Sequence, residues 1–139
     1  MTIKEKAEKL YKSVRTFIIT CVGTDGYPLT KAVVPGKHRA SLKEIYFCTN
    51  TSSKFAQEIG RNPKASVYFF SKILIWKGCM LKGNMEIVSD NEVKKHYWQD
   101  KYKDAYQEKS WSDPDFCLLK FISVSGRYYS WYKIEDFEI

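Results

Sequence analysis

Residues 45–70 read IYFCTNTSSKFAQEIGRNPKASVYFF, a stretch that joins two strands through a hydroxyl-rich turn and a short helix. An apolar run is followed by the turn, residues 49–53, and Lys54 opens an amphipathic helix. Phe55 and Ile59 lie one helical turn apart, so they would pack this helix on a sheet. The Gly-Arg-Asn-Pro sequence that follows ends the helix, and a second strand begins.

The turn before the helix has the chemistry of a phosphate site. The unpaired N–H groups of a first helical turn point outward, and the helix dipole favours an anion there. Thr49, Asn50 and Ser53 would add polar groups, and Lys54 would add positive charge. The ordinary alternative is that Ser52 or Ser53 only caps the helix and that Lys54 is a solvated surface residue. The spacing alone leaves both interpretations open.

The composition indicates one β-rich domain, residues 1–139. A chain of 139 residues is long enough to bury a core, and aromatic residues make up 16% of it, which suits wide strand faces. The net charge is +7, but the lysines are interleaved with Glu and Asp, which is typical of solvated helix faces. We therefore expect no nucleic-acid partner.

The sequence favours a cytoplasmic location. The N-terminal segment is charged and amphipathic, without the apolar core of a signal peptide, and no run approaches the length of a membrane span. The four cysteines lie far apart and form no C-x-x-C pair, so we expect free, buried thiols in a reducing compartment and no metal site. We expect no membrane partner.

The periodicity predicts short helices around a mainly β structure. Helices are predicted at residues 2–14 and 89–100, each opened by a capping box, and at residues 53–60. Strands are predicted at residues 16–23, 29–35, 44–49, 65–71, 73–88 and 116–124, with residues 128–132 as a further strand or an edge extension. Six or more strands with short helices at their ends indicate a closed or nearly closed antiparallel β-barrel.

The order of these motifs resembles the flavin-binding split barrels related to pyridoxamine 5'-phosphate oxidase, and within them the general stress protein 26-like members. FCTNTSSK, a short helix and RNPKASVYF are similar to that family's third strand, phosphate turn, helix and fourth strand. TCVGTDGYPLTKAVVP, residues 20–35, is similar to its first hairpin, and KGNMEIVSD, residues 82–90, to its later part. The resemblance covers nearly the whole chain.

The resemblance implies an antiparallel split barrel that binds FMN as a homodimer. The second strand would lie along the flavin, with Lys31, Val33 and Val34 beside it and Lys31 near N1 and O2 of the ring. An exposed strand lysine is the alternative for Lys31. Lys77 matches a position from which the partner subunit reaches the flavin. Either Trp131 or Tyr129 would stack beside the ring. The alternative for both residues is a contact in the core or at the dimer interface.

The resemblance also bears on activity. Pyridoxamine phosphate oxidases end in an R-x-H-type motif, whereas this chain reads GRYYSW at residues 126–131 and has no histidine after His96. We therefore expect an FMN-dependent oxidoreductase that acts on another small molecule, with catalytic residues that the sequence does not identify. A non-catalytic flavin-binding protein of the stress response is the alternative, and a nucleic-acid-binding β-barrel is a third reading.

Overall fold

The computed structural model describes residues 1–39 and 41–139. Its helices are α1 (Ile3–Ser13), α2 (Lys54–Arg61) and α3 (Asn91–Tyr97), followed by a 3₁₀ helix (Asp100–Ala105). Its strands are β1 (Phe17–Val22), β2 (Pro28–Val33), β3 (Glu44–Asn50), β4 (Lys64–Ser71), β5 (Lys77–Ile87), β6 (Phe116–Ser130) and β7 (Lys133–Glu138). None of the helices among these residues is long and apolar enough to span a membrane.

All seven strands belong to one antiparallel sheet that curls into a split barrel. The order is β2-β1-β4-β5-β6-β3, and β7 pairs with the second half of β6. Just after β2, Pro35 bridges to Phe47 of β3, and the Gly36 N–H donates to the Tyr46 carbonyl at 2.8 Å. The two ends of the sheet therefore meet, and the predicted fold class is confirmed.

Aromatic rings fill the barrel. Phe17 stacks on Phe69 with ring centroids 5.0 Å apart, and Phe47 packs edge-on against Phe17 at 6.1 Å. Tyr11 of α1 adds a ring at 5.8 Å from Phe69, so the amphipathic face of α1 closes part of the core. Such rings bury large apolar areas and favour tilted or offset contacts.

Several local predictions are confirmed. Thr2 caps α1, because its hydroxyl accepts from the Glu5 N–H at 3.1 Å. Gly26 supplies the positive φ of 84° that the β1–β2 turn requires. Phe55 and Ile59 are buried and hold α2 on the sheet. All four cysteines are free; Cys48 is half-buried, and the others are buried.

The predicted fifth strand starts too early. Residues 73–75 form a bend, in which the Ile75 N–H donates to the Ile73 carbonyl at 2.9 Å and Leu74 takes a φ of 65°. The strand begins at Lys77 instead. An apolar run alone does not distinguish a strand from an apolar turn.

The predictions for the C-terminal part also need correction. β6 runs without a break to Ser130, through residues 125–127 that the sequence placed outside a strand, and β7 was not predicted. Gly126 permits this because the Phe137 ring lies over it. A Cβ added at this position would come within 2.3 Å of that ring. Helix α3 is capped by Asp90 rather than by Ser89, and it ends at Tyr97 instead of residue 100.

Candidate functional site

A cleft of about 290 Å³ opens between β2 and the end of β3, beside the 3₁₀ helix. It is lined by Lys31, Ala32, Val33, Val34, Cys48, Thr49, Asn50, Tyr102, Ala105 and Tyr106. Five of these residues, Lys31, Val33, Val34, Thr49 and Asn50, are predicted site residues. The structure therefore brings together the two segments that the sequence singled out.

One wall of the cleft is the free edge of the sheet. β2 is a terminal strand that pairs only with β1 along residues 28–33. On such a strand, the backbone N–H and C=O groups that face away from the neighbour have no ladder partner. They are available to a flat polar ligand that lies along the strand.

Polar side chains gather at one end of the cleft. The Lys31 Nζ lies 3.5 Å from the Thr49 Oγ1, and the Thr49 hydroxyl donates to the Ser53 Oγ at 3.4 Å. Among the described residues, no carboxylate forms an ion pair with Lys31. The arrangement therefore places a cation without a counter-charge beside two hydroxyls.

Asp115 holds the turn that carries these hydroxyls. Its carboxylate accepts from the Asn50 side-chain amide and from the Ser52 N–H, both at 2.8 Å. These two hydrogen bonds hold the pKa of Asp115 below its ordinary value, with the contact to Asn50 the larger cause. The Thr51 N–H also donates to the Asp115 carbonyl at 2.8 Å. The turn is fixed, and its own amides at residues 51 and 52 are already occupied.

Two backbone amides at the start of α2 have no acceptor among the described residues. Ser53 caps the helix, because its Oγ accepts from the Ala56 N–H at 3.1 Å, and its carbonyl accepts from the Gln57 N–H at 3.2 Å. Within the part of the chain that the structure describes, the amides of Lys54 and Phe55 have no acceptor. These two N–H groups, with the hydroxyls and Lys31, are donors suited to an anion.

Lys54 does not line the cleft. Its Nζ lies 3.1 Å from the Glu58 Oε1, and its side chain is 69% exposed, whereas that of Glu58 is 2% exposed. The Thr24 hydroxyl donates to the same carboxylate at 2.6 Å and is the main cause of a lowered Glu58 pKa. The positive charge at the cleft therefore comes from Lys31.

The opposite wall is aromatic and was not predicted. The Tyr106 hydroxyl donates to the Thr49 carbonyl at 3.1 Å, and Trp98 packs on Tyr102 and Tyr106 with centroids 5.7 and 5.6 Å away. Burial raises the pKa of both tyrosines to about 12 and that of Cys48 to about 11, so all three groups are neutral at physiological pH. The spacing of four between Trp98, Tyr102 and Tyr106 was the available signal.

Two predicted residues lie elsewhere on the chain. Lys77 starts β5, where it pairs in register with Ser130. Trp131 follows in the β6–β7 turn with a φ of 58°, is 59% exposed, and donates its N–H to the Trp76 carbonyl at 3.1 Å. Neither residue lines the cleft of its own chain. Their contact with a flavin stays a prediction that requires a second chain.

Comparison with known proteins identifies the family to which this fold belongs. The sequence profile described as pyridoxamine 5'-phosphate oxidase matches residues 3–129. A Clostridium acetobutylicum protein related to general stress protein 26, of the pyridoxinephosphate oxidase family, is 31% identical, with a TM-score of 0.84 over 97% of this chain and 93% of that one. The search of curated proteins gave no match.

More distant structures share the fold. A pyridoxamine 5'-phosphate oxidase-related, FMN-binding protein of Nostoc punctiforme is 15% identical, with a TM-score of 0.74 over 97% of this chain and 93% of that one. A heme-binding protein of Mycobacterium smegmatis is 17% identical, with a TM-score of 0.79 over 99% of this chain and 58% of that one. The profile match and the clostridial relative show that the chain belongs to the pyridoxamine 5'-phosphate oxidase-related split-barrel family, among its general stress protein 26-like members.

Proposed function

We propose that the protein is a flavoprotein that binds FMN in the cleft between β2 and β3. The observation that carries this proposal is the meeting of Lys31 and Thr49 in a cleft whose wall is an open strand edge, with Ser53, outside the lining, accepting a hydrogen bond from Thr49. An anion-binding end and an extended polar edge match a phosphate joined to a flat ring system. The FMN-binding relative from Nostoc supports the same ligand.

The residues divide into two roles. Lys31 and the hydroxyls of Thr49 and Ser53 would hold the phosphate, assisted by the amides of Lys54 and Phe55. The backbone beside Val33 and Val34 would orient the ring edge, and Tyr102 and Tyr106 would exclude water from the far wall. When bound, FMN supplies the hydride or electron transfer.

The cleft favours FMN over other flavins and over heme. It gathers donors for one phosphate. Its lining contains no histidine, and the raised pKa of Cys48, Tyr102 and Tyr106 keeps these other candidate iron ligands protonated. Titration with FMN, riboflavin and FAD tests the proposal, and we expect FMN to bind most tightly. Equal affinity for riboflavin would remove the phosphate site from the proposal. A Soret band in place of flavin bands in the purified protein would favour heme.

We further propose a homodimer with two flavin sites between the subunits. A volume of about 290 Å³ is small for a cofactor site, which suggests that a second chain completes the enclosure. The outer face of β4, β5 and β6 carries half-buried and exposed rings. Tyr68 lies 5.7 Å from the exposed Phe70, and Trp76, just before β5, lies 6.0 Å from Tyr129. An apolar sheet face of this kind suits a partner copy.

Sedimentation across a range of concentrations, with and without FMN, tests the dimer. An interface on the order of 2,000 Å² or more is expected for a permanent dimer. FMN that touches both chains would strengthen association by mass action. A monomer that binds FMN stoichiometrically would show that one chain suffices.

The proposed activity is oxidoreduction of a small molecule other than vitamin B6. Arg127 would be the candidate for a pyridoxal-type substrate contact, but its Nε lies 2.7 Å from the Asp136 Oδ1, and a second nitrogen contacts Oδ2 at 3.2 Å. Steady-state oxidation of NADH or NADPH by the FMN-loaded protein supports an enzyme. Tight FMN binding without turnover supports the non-catalytic alternative.

The four free thiols support a cytoplasmic location.

A further inference from the structure

A second cavity, of about 450 Å³, lies at the mouth of the barrel between α1 and the loop that joins β4 to β5. None of its lining residues lines the cleft between β2 and β3. Its volume falls within the range typical of small-molecule sites, and barrel mouths are a common place for such sites. The proposed flavin site leaves this cavity without a role.

Strand register places the floor of this cavity inside the barrel. Ser71, Lys77 and Ser130 stand opposite one another on β4, β5 and β6, and the next row inward contains the buried Cys79 and Tyr128. Residues two apart on a strand share a face, so Lys77 points to the interior side of the sheet. The floor is therefore distinct from the outer face that we propose as the dimer contact.

The charge of the cavity has one sign. Lys6 and Lys9 of α1 line it together with Lys77, and no acidic residue is among the lining residues. None of the three lysines forms an ion pair with any described residue. Three unpaired ammonium groups around one cavity attract an anion.

The rest of the lining is largely apolar. Leu10 and Tyr128 are buried at its base. At the rim, Ile73 is 78% exposed and Leu74 is 97% exposed. The φ of 65° at Leu74 is unusual for a bulky residue, so the backbone holds an apolar side chain outward at some cost. An apolar rim beside lysines suits a ligand with an aliphatic body and an anionic head.

We propose that the barrel mouth binds a single-chain aliphatic carboxylate of medium length. The carboxylate contacts the ammonium groups of Lys6, Lys9 and Lys77, and the chain covers Leu10, Tyr128 and the 73–75 loop. The charge complementarity selects this occupant over a neutral or cationic amphiphile. The barrel mouth and the cleft of one chain share no lining residue. Lys77 is also a predicted contact of a partner's flavin, so Lys6 and Lys9 are the lysines whose role is independent of the flavin.

Isothermal titration of the full chain with hexanoate, octanoate and decanoate tests the apolar part. Each buried methylene contributes about 0.8 kcal/mol, so affinity should rise by about fourfold per carbon. Decyltrimethylammonium has the same chain and the opposite charge, and it should neither bind nor displace decanoate. Affinity that does not depend on chain length, or equal binding of the cation, would overturn the proposal.

A matched pair of variants tests the charged part. Lys6→Gln with Lys9→Gln removes two ammonium groups on the cavity side, and decanoate should bind about fivefold more weakly or worse. Lys4→Gln with Lys12→Gln makes the same charge change on the same helix outside the cavity lining, and it should change affinity by less than about twofold. Equal weakening in both variants would mean that net charge alone attracts decanoate, which would overturn the site.

Ile73→Ser tests the rim, and it should weaken decanoate binding while leaving FMN binding unchanged. If Ile73→Ser alters the oligomeric state and not decanoate affinity, the loop belongs to a contact between two copies, and the proposal fails. The flavin spectrum is recorded on the same samples. Failure of the flavin site and failure of the barrel mouth are therefore distinguishable.

Discussion

Replacing Lys31 with Met tests which part of the flavin this residue contacts. The Lys31 Nζ lies 3.5 Å from the Thr49 Oγ1, and the Thr49 Oγ1 lies 3.4 Å from the Ser53 Oγ. The ammonium group is therefore close to the proposed phosphate donors. The family resemblance placed Lys31 beside the ring, and the turn sequence gave the phosphate charge to Lys54. Met keeps the length and apolar stem of the side chain, so the change removes charge with little loss of packing.

The expected magnitude follows from burial and pairing. Lys31 is half-buried and has no carboxylate partner among the described residues, so its contact with a phosphate has the strength of a charge-assisted hydrogen bond, about 2 kcal/mol. FMN should therefore bind about 30-fold more weakly. Lys54 is mostly exposed and paired with Glu58, so Lys54→Met should weaken FMN by less than about fivefold.

The assay is quenching of flavin fluorescence for both variants, with FMN and with riboflavin. The phosphate role predicts that Lys31→Met weakens FMN and leaves riboflavin within about twofold. An equal loss of affinity for both flavins would refute the phosphate role and would indicate that Lys31 contacts the flavin ring. A larger loss in Lys54→Met than in Lys31→Met would show that Lys54 leaves Glu58 to bind the ligand. Circular dichroism controls for the fold.

Three further substitutions test the stability of the structure that supports the site. Tyr106→Phe removes the hydrogen bond to the Thr49 carbonyl, and urea unfolding should show a loss of about 1 kcal/mol. Gly83→Ala places a Cβ 2.1 Å from the Ile122 carbonyl oxygen at the β5 bulge, so the same measurement should show a loss of about 2–3 kcal/mol, and an unchanged midpoint would contradict the geometry. The folded pKa of Glu58 is lowered, so its stabilisation is present above its unfolded pKa and is lost as pH falls through the folded value. Glu58→Gln should therefore lower Tm at neutral pH and flatten its fall in acid; an unchanged acid limb would mean that Glu58 does not contribute to it.

Local patterns were sufficient where a few neighbouring residues decide the structure. Thr2 and Ser53 cap their helices as predicted, and Gly26 takes the positive φ of its turn. In these cases the hydrogen bond or the steric freedom lies within three residues, so the sequence contains the whole interaction. The predicted meeting of the second and third strands rested instead on the family resemblance.

Longer-range pairing decided the elements that the sequence missed. β7 has six mostly exposed residues and forms because β6 offers it an edge. β6 continues through Gly126 because Phe137, eleven positions along the chain, packs over that glycine. The 73–76 segment is apolar enough for a strand, yet it lies at the rim of the barrel and turns there. No local propensity contains these partners.

The sequence by itself determined the β-rich class, the caps of α1 and α2 and the hydroxyl-rich turn, because periodicity and capping act between near neighbours. Only the tertiary structure decided which cation reaches that turn. The predicted site gave the turn the charge of Lys54, but Glu58 is buried four residues after Lys54 and pairs with it. The antiparallel closure that brings β2 beside β3 places Lys31 at Thr49 instead. A buried carboxylate and a strand edge, both set by the fold, made that choice.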